Sequence, residues 1–344
     1  MAFKDIKGHS LQISVLQRIL QTKRVAGAYL FSGPTAVGKF LTAVNFAKAI
    51  QCINQTDDCC QRCHNCLAIE RRNHPDVYIV DKQAEEIDTT EYPIPETETQ
   101  KKAISVGSKS KEIKIEEIRQ LQQELSYKPT KSCYKVVIIN DAHNLNSDAA
   151  NAFLKTLEEP PGYSVIILVT DKKNLLYPTI ISRCKLLKFS GVNTALIEDI
   201  LAKQQDLSQE ARRYLAYFYE GSLGKAVREN SEQLLTEKKR VINLFFVQRF
   251  PNTEQTFLQD KERFIRSICF ISLFLRDLYF LKAELPPSTI ADSENLPLLE
   301  SLAKDFSLEK IERIMYVLKE ALLYTEQNVN LKLLLNMVLS EIRS

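Results

Sequence analysis

Apolar residues near the start of the chain change from helical spacing to a short continuous run and back again. Residues 10–22 repeat apolar positions at helical intervals, which predicts an amphipathic helix. The apolar run at 26–33 predicts a buried strand, and a Gly-rich turn leads from it into a second helical pattern at 39–52. Strand, Gly-rich loop and helix therefore follow one another directly, which is the context of a phosphate-binding loop.

The same alternation continues to about residue 190. Apolar runs at 74–81, 134–141 and 163–171 predict three more buried strands. Residues 113–129 and 147–161 have helical spacing, and two prolines end the second of these segments. Apolar strands that alternate with helices predict a parallel sheet covered on both faces, which is an α/β fold.

Strand patterns almost vanish beyond this point, so the chain is predicted to have three domains. Residues 1–190 form the α/β domain, residues 191–236 read as short helices, and residues 237–344 read as longer amphipathic ones. The segment 82–112 is first acidic with two prolines and then basic, which predicts a mobile surface loop inside the first domain.

The composition is that of a helical, globular protein. Of the 344 residues, 44% are hydrophobic and 26% are charged; there is no Trp and only nine Gly. Because no apolar run approaches a membrane span and the start lacks a signal-peptide core, we expect a cytoplasmic protein. A net charge of +3 is too small to indicate a nucleic-acid binder. The four histidines are interpreted as surface or strand-end residues, without a hydrolase triad: His9, His64, His74 and His143.

The Gly-rich turn reads GPTAVGKF and matches a phosphate loop at Gly33, Gly38 and Lys39. Backbone N–H groups and the Lys of such a loop hold phosphate oxygens, whereas a Ser or Thr after the Lys holds Mg²⁺. Here that position is Phe40, which has no oxygen. The sequence thus keeps the groups that hold phosphate and lacks one that holds the metal.

The strand ending at residue 139 departs from the pattern as well. An acidic pair normally follows it, whereas this chain has Asn140 and Asp141. In an alternative register Asp141 is the metal ligand, and Ala142 then occupies the catalytic position. One half of the pair is defective in either register. We therefore expect no Mg²⁺-dependent ATP hydrolysis and regard ATP binding as doubtful.

Five of the eight cysteines lie within residues 52–66. The spacing C-x7-C-x2-C-x2-C predicts a structural zinc site, because four thiolates close a Zn²⁺ tetrahedron and exclude water. Cys59 could replace Cys52 or Cys60, and reduced thiols without metal are the alternative. The placement favours a stiffener or subunit contact over a DNA-binding finger. The predicted ligands are Cys52, Cys60, Cys63 and Cys66.

Several motifs together resemble one family. The sequence NAFLKTLEEPP, SRC at 182–184, HPD at 74–76 and the cysteine cluster resemble bacterial clamp-loader subunits of DNA polymerase III, within the AAA+ group. The resemblance extends over nearly the whole chain. It implies an AAA+-like P-loop domain, a helical lid domain and a helical collar that holds five subunits in a ring.

The resemblance also separates two kinds of subunit. Gamma/tau subunits hydrolyse ATP and have an Arg in the lid motif GSLR, where this chain has Gly224. Lys225 or Arg228 is a weak substitute for that Arg. Together with Phe40 and Asn140, this departure favours a delta-prime type of subunit that does not hydrolyse ATP.

The resemblance assigns a role to Arg183 in the SRC motif. In the family this residue acts in trans, as an arginine finger that completes the ATP site of the adjacent subunit. The implied partners are gamma/tau and delta subunits, with the sliding clamp and primer–template DNA contacted through the complex, and no membrane. Two alternatives stay open: an ATP-hydrolysing gamma/tau-like subunit, and a zinc-containing DNA-binding protein on a decayed P-loop scaffold.

Overall fold

The computed structural model describes residues 1–54, 57–81, 112–204, 206–248, 260–327 and 329–343. It divides into two compact units, Met1–Val192 and Asn193–Ser344. The predicted division of the second unit into lid and collar stays a prediction. Apart from Glu112, the loop predicted at 82–112 lies outside the described residues.

A five-stranded parallel sheet forms the centre of the first unit, in the order β2-β3-β4-β1-β5. Its strands are β1 (Ala28–Ser32), β2 (Val77–Val80), β3 (Lys135–Ile139), β4 (Ser164–Thr170) and β5 (Lys185–Lys188). The first four are buried along their whole length, which explains their uninterrupted apolar runs. The predicted α/β fold class with a parallel sheet is confirmed.

Side chains that alternate along β1 enter two separate cores. Tyr29 and Phe31 pack with Phe46 on one face, whereas Leu30 packs with Phe153 on the other. Both faces of the sheet are therefore covered by helices, as the sequence predicts. The helices of this unit are α1 (Ser10–Thr22), α2 (Lys39–Gln51), α3 (His64–Glu70), α4 (Ile115–Ser126), α5 (Ser147–Glu158) and α6 (Pro178–Ile181).

The described residues of the second unit form helices and the loops between them, with no strand. Its helices are α7 (Thr194–Gln204), α8 (Gln209–Phe218), α9 (Leu223–Arg228), α10 (Ser231–Ile242), α11 (Lys261–Lys282), α12 (Leu296–Asp305), α13 (Leu308–Glu326) and α14 (Leu331–Arg343). Its core includes a buried ion pair, in which Nζ of Lys238 lies 3.0 Å from Oδ1 of Asp292. Asp277 accepts hydrogen bonds from the backbone N–H groups of Ala291 and Asp292, so α10 and α11 are linked through one polar network.

Across the described helices of both units, none combines the length and the hydropathy needed to cross a bilayer.

Candidate functional site

The phosphate loop lies where the sequence places it, between the end of β1 and Lys39, the first residue of α2. The N–H of Gly33 donates to the carbonyl of Thr170 at 3.3 Å, which fixes the start of the loop beside β4. Gly38 has a φ of +103°, a left-handed conformation that suits glycine. The loop therefore keeps the backbone form that its two glycines predict.

Replacing Gly33 with alanine is expected to destabilise the first unit by about 1–3 kcal/mol. A Cβ at this position would lie 2.2 Å from the backbone oxygen of Phe189, which cannot move aside cheaply. Gly38→Ala is the matched control, because a Cβ there meets nothing within 4 Å and adds only backbone strain. Urea unfolding followed by circular dichroism measures both; a loss for Gly33→Ala no larger than that for Gly38→Ala would contradict the steric explanation.

Lys39 is folded into the loop. Its ammonium donates to the carbonyl oxygens of Gly33, at 2.8 Å, and of Pro34. Burial lowers the pKa of Lys39, and the negative charges of Asp171 and Asp141 partly oppose that effect. The lysine thus occupies the loop in which a phosphate would bind, and carboxylates face it.

The groups that would surround a magnesium ion are replaced by others. The ring of Phe40 packs against the core, with the guanidinium of Arg72 at 5.8 Å from its centroid. Nδ2 of Asn140 donates to Oδ1 of Asp81 at 3.1 Å, and Oδ2 of Asp81 lies 3.3 Å from Nη2 of Arg72. An aromatic ring, an amide and an ion pair therefore stand where a P-loop enzyme offers metal ligands.

Asp141 follows Asn140 but belongs to a different group of side chains. Its backbone is left-handed, with a φ of +48°. One ligand atom each from Asp141, His143 and Asp171 lies within 4.8 Å of the others. Sequence reasoning missed His143 and Asp171, although the ends of adjacent parallel strands share one sheet edge. His9 is likewise buried, with Nε2 at 2.6 Å from the carbonyl oxygen of Val37, instead of being a surface or strand-end residue.

The four predicted cysteine ligands come together. Their sulfur atoms lie within 4.8 Å of one another, in a cluster that could hold a zinc ion: Cys52, Cys60, Cys63 and Cys66. Backbone N–H groups point at the sulfurs, as in the 3.3 Å contact from the N–H of Cys63 to Sγ of Cys60. A hydrogen bond from the N–H of Arg62 lowers the pKa of Cys60 to about 6, whereas burial raises the pKa of Cys66. A closed set of four thiolates suits a structural metal.

Cys59 is buried outside this cluster. Its Sγ donates to the carbonyl oxygen of Met1 at 3.5 Å, and burial raises its pKa to about 11. A neutral thiol in that position has a structural contact of its own. The geometry therefore selects Cys52 over Cys59 as the fourth member of the cluster.

Arg183 follows the short helix α6 and is only partly exposed, at 32%. Its Nε donates to Oε1 of Glu158 at 2.9 Å, and its Nη2 contacts the same oxygen. Nη1 donates to the carbonyl of Thr179 at 2.9 Å. The guanidinium is thus held at the surface by the last residue of α5.

Gly224 lies in α9 of the second unit. The other predicted residues of the nucleotide site all lie in the first unit. The assignment of Gly224 to that site stays a prediction.

Comparison with known proteins identifies the family. Residues 8–193, more than half of the chain, match the family described as DNA polymerase III, delta subunit. The chain belongs to this family. It is 31% identical over 235 residues to DNA polymerase III subunit delta' of Bacillus subtilis (strain 168), a match that covers 68% of this chain and 63% of that one. It is also 33% identical over 208 residues to subunit tau of the same organism, covering 60% of this chain and 32% of tau.

The chain thus spans just under two thirds of the Bacillus delta' subunit and about one third of tau. Among solved structures, it is similar to a DNA polymerase III gamma subunit-related protein of Thermotoga maritima. The identity is 18%, the TM-score is 0.44, and the match covers 96% of this chain and 98% of that one. Family membership agrees with the resemblance predicted from LEEPP, SRC and the cysteine spacing.

Proposed function

We propose that this chain is a delta-prime-like subunit of the DNA polymerase III clamp loader that does not hydrolyse ATP. In this role it serves as a stator: it assembles with gamma/tau and delta subunits and supplies Arg183 to an adjacent ATPase. The observation that supports the proposal most directly is the packed ring of Phe40 at the position of the metal-binding hydroxyl. Contacts with the sliding clamp and primer–template DNA would be made through the assembled complex.

The chemistry of the altered loop supports the absence of hydrolysis. Mg²⁺ neutralises charge that develops on the transferred phosphoryl group and orients it for attack. Phe40 supplies no ligand, and Asn140 is a neutral amide that already donates to Asp81. Asp141 and Asp171 place negative charge beside Lys39, where it opposes the binding of a terminal phosphate.

Arg183 has the chemistry that the stator role needs. Its guanidinium is always charged, and its planar donors fit phosphate oxygens in pairs. It is held by a carboxylate at the surface instead of being buried in the core. An adjacent subunit could therefore reach it, and the single carboxylate partner is the group that a phosphate would replace.

The cysteine cluster completes the proposal as a structural zinc site. It connects the end of α2 with α3, so a bound ion would fix the segment between these two helices, which does not include the nucleotide loop. The metal would stiffen this unit or a subunit contact, and no step of phosphoryl transfer would depend on it.

The isolated chain is expected to show no ATP turnover above buffer in the presence of Mg²⁺. Phe40→Thr is expected to stay inactive as well. The new hydroxyl would restore one metal ligand, but Asn140 remains a neutral amide that donates to Asp81 and does not supply the second. Release of inorganic phosphate from the purified chain measures both, with a gamma-type subunit as the active reference. Turnover that disappears in Lys39→Ala would identify an ATP-hydrolysing subunit instead, and tight DNA binding by the lone chain with a steep salt dependence would favour the DNA-binding alternative.

A further inference from the structure

Three potential metal ligands converge at the carboxyl ends of β3 and β4. They are Asp141, His143 and Asp171, and one ligand atom from each lies within 4.8 Å of the others. Nδ1 of His143 lies 3.5 Å from Oδ1 of Asp171. We propose that these three side chains bind a divalent cation beside the phosphate loop, with His143 and Asp171 as ligands in place of Phe40 and Asn140.

One oxygen in this group lacks the partner that a buried oxygen needs. Oδ1 of Asp171 is buried and has no hydrogen-bond partner among the described residues. Buried carboxylate oxygens are normally hydrogen-bonded, so this oxygen is available to a water or a cation. Nδ1 of His143 lies 3.5 Å from this oxygen, and the side chains of His143 and Asp171 are 10% and 20% exposed. A cation between them would satisfy the oxygen and bring in the nearby carboxylate of Asp141.

Neighbouring residues already orient these ligands. The hydroxyl of Thr35, in the phosphate loop, donates to Oδ2 of Asp171 at 2.8 Å and leaves Oδ1 directed elsewhere. Oγ1 of Thr170 lies 3.1 Å from Nδ1 of His143. Such secondary contacts fix the orientation of carboxylate and imidazole ligands in metal sites. Their presence distinguishes this group from a chance cluster of surface charges.

The spacing and the ligand types indicate which ions fit. Metal–ligand bonds of about 2.0–2.2 Å place adjacent ligands about 3–3.5 Å apart, which small side-chain rotations would reach from the present spacing. Two carboxylates and one imidazole suit Mn²⁺ or Zn²⁺, whereas Mg²⁺ prefers oxygen ligands. Three protein ligands leave coordination positions open, and Thr35 places the site next to the loop. Water would fill these positions in the isolated chain.

Manganese is the appropriate probe, because thiolates do not select it and the cysteine cluster will not compete for it. The full chain, saturated with zinc, is titrated with Mn²⁺ while electron paramagnetic resonance records the free ion. We expect one equivalent to bind, and affinity to fall at least about tenfold in Asp171→Asn and in His143→Leu. In protein labelled with ¹⁵N-histidine, pulsed electron paramagnetic resonance is expected to detect one nitrogen bound to Mn²⁺. This nitrogen signal should be absent in His143→Leu.

Asp199→Asn is the matched control, because Asp199 is an exposed carboxylate on α7 in the other unit. It is expected to bind Mn²⁺ like the wild type, and circular dichroism confirms that all variants are folded. Absence of a stoichiometric site, or equal affinity in Asp171→Asn and Asp199→Asn, would overturn the proposal. The experiment uses the chain alone and is independent of its role as a stator, so neither proposal depends on the other.

Discussion

If Arg183 completes the ATP site of an adjacent subunit, as we propose, Arg183→Ala is expected to lower ATP turnover at that site by about 10³-fold or more in the assembled complex. Arginine fingers that act in trans contribute on the order of 10³–10⁵ to the rate of phosphoryl transfer. The guanidinium neutralises negative charge on the phosphoryl oxygens in the transition state, and alanine leaves that charge uncompensated. Single-turnover hydrolysis with a reconstituted complex of wild-type or mutant chain and gamma/tau and delta partners measures the effect.

Arg119→Ala is the matched control, because Arg119 is an exposed arginine on α4 without a proposed role. It is expected to leave turnover unchanged. Arg183→Lys is expected to recover only a small part of the rate, since an ammonium cannot place two parallel hydrogen bonds on a phosphate. Size-exclusion chromatography shows whether each variant still assembles. A normally assembled complex in which Arg183→Ala hydrolyses ATP at the wild-type rate would refute the trans role of this residue.

Cys66→Ser is expected to abolish zinc binding and to destabilise the first unit by more than about 4 kcal/mol. Apparent zinc-binding free energies reach about 10–16 kcal/mol in zinc-finger peptides, and part of that energy stabilises the fold. Cys66 is buried on α3 and packs into the same core as Phe46, so loss of the metal would loosen α3 against α2. Metal content after dialysis and thermal unfolding measure the two effects.

Cys59→Ser is the control that separates the cluster from its neighbour. Cys59 is equally close in sequence and buried, yet it contacts the carbonyl oxygen of Met1 instead of the other sulfurs. The Cys59→Ser variant should therefore retain one equivalent of zinc, whereas the Cys52→Ser variant should lose it. Zinc retained by Cys52→Ser and lost by Cys59→Ser would show that the fourth ligand has been misassigned.

Most of the first unit was predictable, because a strand covered on both faces must be apolar along its whole length. The four strands from β1 to β4 satisfy this condition, and each coincides with a predicted apolar run. The fifth strand, Lys185–Lys188, was missed. Most of its residues are exposed, unlike those of β2 at the opposite edge of the sheet, so it needs no continuous apolar pattern.

Part of the candidate site could likewise be predicted from residue spacing, and the rest depends on tertiary structure. Phe40 and Asn140 could be recognised as departures, because a phosphate loop fixes which position holds which group. That Asp81 accepts from Asn140, or that Glu158 holds Arg183, depends on residues far apart in sequence. The choice between Cys52 and Cys59 likewise required the fold, since their spacings allow either thiol to reach the cluster.

The contact between Arg183 and Glu158 makes any use of this arginine an exchange between two anions. A neighbouring phosphate must displace a carboxylate that already bonds to two nitrogens of the guanidinium. The more highly charged triphosphate competes better than the diphosphate that hydrolysis leaves behind. Once the neighbour's terminal phosphate has left, Arg183 would return to Glu158 and its contact with the neighbouring subunit would weaken. This intramolecular ion pair would then favour separation of the two subunits after hydrolysis.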